Sequence, residues 1–174
     1  MSATHGRVDI LLVDDSPANL HLLMDILEGQ HYDVRVANSG QRALAAARSS
    51  PPDIVMLDIT MPDMDGYEVC RELKADDATR DVPIIFVSAR DDGMDKVKAF
   101  QVGGADYVTK PFQLVEVVAR IEHQLELARL QRELERQNAD LARAVGELAE
   151  KNAELERSGD RILTDMGLLP RRAA

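Results

Sequence analysis

Short, mostly apolar runs recur through the first 120 residues, and each is followed by a break and then a helical pattern. Val8–Val13 is bounded by charge and reads as a buried strand. Val34–Ala37, Ile54–Leu57, Ile84–Val87 and Asp106–Thr109 repeat that reading. Ser16 is a candidate helix N-cap, with Pro17 at the first helical position. Leu20, Leu23, Met24 and Leu27 then fall at helical spacing, and Gly29 is the expected stop. Gly40 to Arg48, Asp65 to Lys74 and Met94 to Val102 read as further helices, ended by Pro51-Pro52 in the first case and Gly103-Gly104 in the last. Five strand–helix alternations predict an α/β fold on a parallel sheet. Strands this apolar suit a sheet covered on both faces. Ligands in such folds sit outside the carboxyl ends of the strands, so the residues just after each run carry the functional interest.

Composition narrows the function. Apolar residues make up 45% of the 174, enough for a core, and the charged share is 30%. No apolar run approaches the length of a membrane span, and Met1 to Asp9 has no signal-peptide pattern. The expected location is cytoplasmic, and the single Cys70 agrees with that. The formal net charge is −10, and residues 1–120 hold 20 acids against 12 bases. A chain this acidic, without Trp and with three Tyr and three Phe, lacks the charge and stacking groups of a nucleic-acid binder.

The strand ends carry a coherent chemistry. The first run ends in Asp14-Asp15, the third in Asp58, the fourth in Ser88 and the fifth in Thr109-Lys110. Three carboxylates, one hydroxyl and one ammonium therefore converge on one edge of the sheet. Crowded carboxylates repel and are most easily held by a hard cation with oxygen ligands, for which Mg2+ is the better fit beside phosphate. A neighbouring lysine would neutralise phosphoryl oxygens, and a small hydroxyl could donate to one. The residues point to phosphoryl chemistry at an aspartate.

The stretches ILLVDDSPAN, DIVMLDITMPDMDGYEVCREL, PIIFVSAR and GGADYVTKPF resemble the receiver domain of two-component response regulators, the CheY-like superfamily, over residues 7–125. The resemblance implies a five-stranded, doubly wound, flavodoxin-like sheet of order 2-1-3-4-5. It implies Asp58 as phosphoacceptor from a histidine kinase or phosphotransfer protein. Asp15, Asp58 and the Thr60 main-chain carbonyl would ligate Mg2+, with Asp14 acting through water. Lys110 would pair with the phosphoryl group and Ser88 would bond one of its oxygens. Ser88 and Tyr107 would form the switch, and Lys110–Pro111 would be cis. Thr60 and Arg90 are less usual and bear on the lifetime of the aspartyl phosphate. No enzymatic activity is expected beyond self-catalysed phosphotransfer to Asp58 and slow autodephosphorylation. The other acids, Asp63, Asp65, Asp91, Asp92 and Asp95, read as solvated or capping groups. His5, His21, His31 and His123 lack metal-ligand spacing.

The final helix outruns a receiver. Ile121 to Arg157 contains no Pro and only Gly146. Leu127, Leu134, Leu141, Leu148 and Leu155 are spaced by seven and define heptad position d; Gln124, Gln131, Asn138, Val145 and Asn152 are then a. Leu at d with Asn at a is the pattern of a parallel two-stranded coiled coil. The expected organisation is a receiver over 1–120, a coiled-coil helix over 121–157 that makes a parallel homodimer, and a tail over 158–174. Ser158-Gly159 is expected to stop the helix, and the tail faintly resembles the lead-in to a catalytic output module. Two rival readings remain: a dimeric pseudo-receiver scaffold, or a haloacid-dehalogenase-type phosphatase. The second needs Asp-x-Asp, and Asp58-Ile59-Thr60 lacks its general acid.

Overall fold

The computed structural model describes residues 7–89, 93–111 and 113–168, and the side chains of all of these except 93–95. Strands and helices alternate: β1 (Asp9–Val13), α1 (Pro17–Glu28), β2 (Asp33–Ala37), α2 (Gly40–Ser49), β3 (Ile54–Asp58), α3 (Gly66–Ala75), β4 (Ile84–Ser88), α4 (Gly93–Gln101), β5 (Asp106–Thr109) and α5 (Leu114–Asp165). The five strands form one parallel sheet in the order β2-β1-β3-β4-β5. This is the doubly wound α/β architecture expected from the alternation. The chain divides into two compact units, residues 1–129 and 130–174.

Strand periodicity builds a core on both sides of the sheet. Leu11, Val13, Val55, Leu57, Ile84 and Phe86 point to one face and pack with Ala43, Leu44 and Ala47 of α2 and Val69, Cys70 and Leu73 of α3. Ile10, Leu12, Ile54, Met56, Ile85 and Val87 point to the other and pack with Leu20, Leu23 and Leu27 of α1 and Val117 and Ile121 of α5. Successive residues of a strand serve opposite faces, so the runs in the central strands β1, β3 and β4 are nearly apolar throughout rather than alternating.

The register levels the strand ends. Val13 lies beside Leu57, Asp58 beside Val87, and Ser88 beside Thr109. Asp14, Asp58, Ser88 and Lys110 therefore emerge along one edge.

Helix ends depart from the sequence reading in three places. Ser16 is the N-cap of α1, but its hydroxyl makes no capping bond. Gly29 ends α1 with an ordinary helical φ of −62°, and the left-handed residue is His31 at φ 64°. The stop expected at Ser158-Gly159 does not occur, because α5 runs on to Asp165. A lone glycine costs a helix roughly 1 kcal/mol without breaking it, and no proline follows closely enough to do so. The helix ends instead at Gly167, φ 75°. There the Leu168 N–H donates to the Leu163 carbonyl at 2.9 Å and the Gly167 N–H to the Thr164 carbonyl at 3.1 Å, a Schellman closure.

Gly66 is required by contact with the backbone of β3. A Cβ on Gly66 would stand 2.3 Å from the Asp58 carbonyl oxygen and 2.9 Å from the Ile59 Cα, so α3 begins directly against the end of β3. The Gly66 N–H donates to the Ile59 carbonyl at 2.9 Å. Gly66→Ala is expected to destabilise the fold by about 1–3 kcal/mol through this overpacking. Urea melts would show the loss, and the Asp58 backbone amide would shift in NMR spectra.

Candidate functional site

Each site residue is placed by a short-range backbone device. Asp14 leaves β1 with its N–H on the Ala37 carbonyl at 3.2 Å. Asp58 closes β3, and the following Ile59 N–H donates to the Val87 carbonyl at 3.0 Å. The loop then turns through Asp63 at φ 68° and enters α3 through a capping box. In that box Asp65 accepts from the Glu68 N–H at 2.8 Å, and Glu68 accepts from the Asp65 N–H at 2.9 Å. Asp65 is thus the capping acid expected of it. Lys110 follows β5 with its N–H on the Ser88 carbonyl at 2.8 Å, and Lys110–Pro111 is cis.

Lysine 110 ties the acids together. Its Nζ donates to Asp14 Oδ2 and to Asp58 Oδ1, both at 2.8 Å. The two carboxylate side chains are only 3% and 5% exposed, and that of Lys110 is 19% exposed. Asp15 is exposed, and one carboxylate oxygen from each of Asp14, Asp15 and Asp58 falls within 4.8 Å of the others. This donor set, carboxylate oxygens alone, fits a hard divalent cation such as Mg2+ and does not fit a thiophilic one. Ser88 and Tyr107 are buried at 4% and 5% exposure, and Lys96 Nζ stands 5.6 Å from the Tyr107 ring centroid. Thr60 is exposed in the loop after β3. Arg90, Asp91, Asp92, the Asp95 side chain, Phe112 and His5 lie outside the described residues.

Sequence reasoning missed Asn19. Its amide donates to both oxygens of Asp14, at 3.1 and 2.9 Å, and the Ser16 N–H donates to Asp14 Oδ1 at 2.8 Å. The available signal was an amide side chain in the first turn of the helix that follows the acids. Cys70 is no candidate nucleophile: burial pushes its thiol up to about 11.

Burial raises the Asp58 pKa above the ordinary carboxylate value; the Lys110 hydrogen bond and charge oppose this, while Asp14 and Asp15 add to it. Burial alone would lower Lys110, yet its bonds to Asp14 and Asp58 outweigh that and hold it raised. An acid with a raised folded pKa stabilises the fold below its ordinary value. That contribution is lost as pH climbs through the raised value. At neutral pH, ionised Asp58 therefore opposes folding of the metal-free domain. Asp58→Asn is expected to melt several degrees higher than the parent chain in chelator at neutral pH, with the gap closing in acid; calorimetric melts across pH would check both parts.

The family model for the response regulator receiver domain matches residues 10–122. The response regulator PleD of Caulobacter vibrioides is 43% identical over 112 residues, covering 64% of this chain and 25% of that protein. The DNA-binding response regulator MtrA of Mycolicibacterium smegmatis is 42% identical over 119 residues, covering 68% of this chain and 51% of that protein. The chain thus spans a quarter to a half of these relatives. A response regulator structure from Chloroflexus aurantiacus superposes with a TM-score of 0.68 at 33% identity, over 70% of this chain and 99% of that one. NtrX from Brucella abortus gives a TM-score of 0.70 at 30% identity, over 74% of this chain and 29% of that one. The family match sets the dehalogenase reading aside: the chain belongs to the response regulator receiver domain family.

Proposed function

We propose that this chain is a phosphorylation-activated response regulator in which Asp58 accepts a phosphoryl group and a dimeric coiled coil relays the receiver's state. The observation that carries the reading is Lys110, bonded to Asp14 and Asp58 at 2.8 Å each, with exposed Asp15 beside them. The donor is a phosphohistidine of a histidine kinase or phosphotransfer protein. An Asp58 carboxylate oxygen attacks phosphorus, the new O–P bond replaces the N–P bond, and the leaving imidazole takes up a proton. Lys110 neutralises charge on the phosphoryl oxygens, and Ser88 donates to one of them after transfer. Mg2+, when held by Asp15, Asp58 and the Thr60 carbonyl with Asp14 reached through water, supplies further charge neutralisation. Ser88 and Tyr107 respond together, because the new acceptor at Asp58 draws the Ser88 side in and alters the space beside Tyr107. Beyond this transfer and slow autodephosphorylation the chain performs no catalysis of its own. A kinase partner implies a cytoplasmic setting, and no described helix is long and apolar enough to cross a membrane.

The coil is supported by the surface of α5. Leu134, Leu141, Leu148 and Leu155 are 57%, 64%, 62% and 69% exposed in the single chain, an apolar stripe at d. Ion pairs Arg129–Glu126, Arg136–Glu133 and Arg143–Asp140 repeat every seven residues. They occupy positions c and f, away from the seam, and leave a and d free for a second copy. Ile162 at d and Met166 at a extend the pattern past Gly159. At the other end, Gln124 is committed to the receiver, 7% exposed with its amide on the Ala105 carbonyl at 3.3 Å. The seam therefore begins at Leu127. Asn138 and Asn152 at a favour two parallel strands at a cost in stability, so the dimer is reversible.

Acetyl phosphate with Mg2+ is expected to label the chain stoichiometrically and to leave Asp58→Asn unlabelled; persistent labelling of the variant would show a different acceptor. Independently, Leu141→Asp with Leu148→Asp is expected to give a monomer by equilibrium sedimentation that still takes up one phosphoryl group. A parent chain that sediments as a monomer at tens of micromolar would remove the coil from the mechanism.

A further inference from the structure

Four hydrogen bonds converge on the Asp14 carboxylate. Oδ1 accepts from the Ser16 N–H at 2.8 Å and from Asn19 Nδ2 at 3.1 Å. Oδ2 accepts from Asn19 Nδ2 at 2.9 Å and from Lys110 Nζ at 2.8 Å. Three donors, with the Asn19 nitrogen shared between the two oxygens, occupy most of the acceptor capacity of the carboxylate. The surroundings also settle which way the amide faces, because an amide oxygen could not approach two carboxylate oxygens. Asp15 is exposed, and Asp58 receives Lys110 on Oδ1. Of the three acids, Asp14 is the one gripped from several sides.

We propose that Asn19 is a positioning residue that holds Asp14 against Lys110 and keeps it out of direct cation ligation, so that Asn19 sets the affinity of the site for Mg2+. This rests on the reading of Asp14, Asp15 and Asp58 as a divalent-cation site. A direct Mg2+ bond needs a lone pair of a carboxylate oxygen at about 2.0–2.1 Å, in near-octahedral geometry. On Asp14 such a lone pair is crowded by three donors and is cleared when one of them leaves. The Ser16 N–H is fixed by the start of α1, and Lys110 is shared with Asp58. The Asn19 side chain is the donor that a substitution can remove without touching either. Its amide also turns the positive end of a dipole toward the acids, which weakens their pull on a cation. Asn19 thus trades affinity for geometry: the cation is held less tightly, while Lys110 keeps its place between Asp14 and Asp58.

The test uses the full chain and Mg2+ alone, titrated by isothermal calorimetry. Asn19→Leu keeps the size of the side chain and removes the donor. It is expected to tighten Mg2+ binding by about tenfold, the size expected when a hydrogen bond to a charged group is lost. In an Asp14→Asn background the same substitution is expected to change the affinity little, because Asn19 acts through Asp14. Melting in chelator establishes that each variant is folded. Weaker or unchanged binding in a folded Asn19→Leu chain overturns the proposal, as does equal tightening in both backgrounds. A parent chain that binds no Mg2+ overturns instead the cation-site reading on which the proposal stands.

Discussion

A single ammonium group between two buried carboxylates is the contact on which the rest of the molecule depends. Asp14 and Asp58 side chains are almost sealed from water, and Lys110 reaches both at 2.8 Å. Carboxylates so close and so dry would otherwise repel and drive protons onto one another. The residual strain is visible in Asp58, whose pKa stays raised despite the lysine. Such an arrangement can persist only where the frame is rigid. The parallel sheet supplies that frame, with β3 buried along its whole length and both faces covered by apolar side chains. The site sits at the end of fully buried strands, where backbone hydrogen bonds help to fix its residues.

Much of this was legible in the residues because it rests on short-range rules. Burial on both faces made the runs in β1, β3 and β4 almost continuously apolar, and the interest of the strand ends followed from topology. Asp58, Lys110, Asp14 and Asp15 are brought together as their positions implied. What was not legible depended on where a side chain turns. Asn19 looked like any polar residue in a first helical turn, and its two bonds to Asp14 emerge only once α1 is docked over the strand end. Gln124 fell on the heptad list by spacing, yet it is buried under Ala105 in the receiver. Ser158-Gly159 looked like a stop because glycine and serine punctuate helices on average. Ile162 and Leu163 instead continue the helical pattern, and the glycine that turns the chain is Gly167.

Gln124 marks the stretch of α5 that serves the receiver core. Val117, Ile121 and Gln124 face the receiver core, so that this stretch is spoken for. Farther along the helix Leu134, Leu141, Leu148 and Leu155 are exposed beside a regular series of intrahelical ion pairs. Exposed pairs of this kind contribute a few tenths of a kcal/mol each, about enough to favour the helical state without fixing its association. The first turns of α5 are thus anchored by apolar and amide groups, while its later heptads carry exposed leucines with Asn138 and Asn152 among the intervening positions.

The close approach of Gly66 to the backbone of Asp58 has a consequence for how this family of sites can vary. The loop from β3 to α3 is pinned at its origin by the Ile59 bonds and at its end by a glycine that admits no side chain. Between them Met61 and Met64 pack against the core, while Pro62 and Asp63 are exposed. Lengthening a loop there costs little, since closure entropy grows only with the logarithm of its length. The rim of the sheet can therefore change shape at the apex of the loop while Asp58 beneath it stays in place.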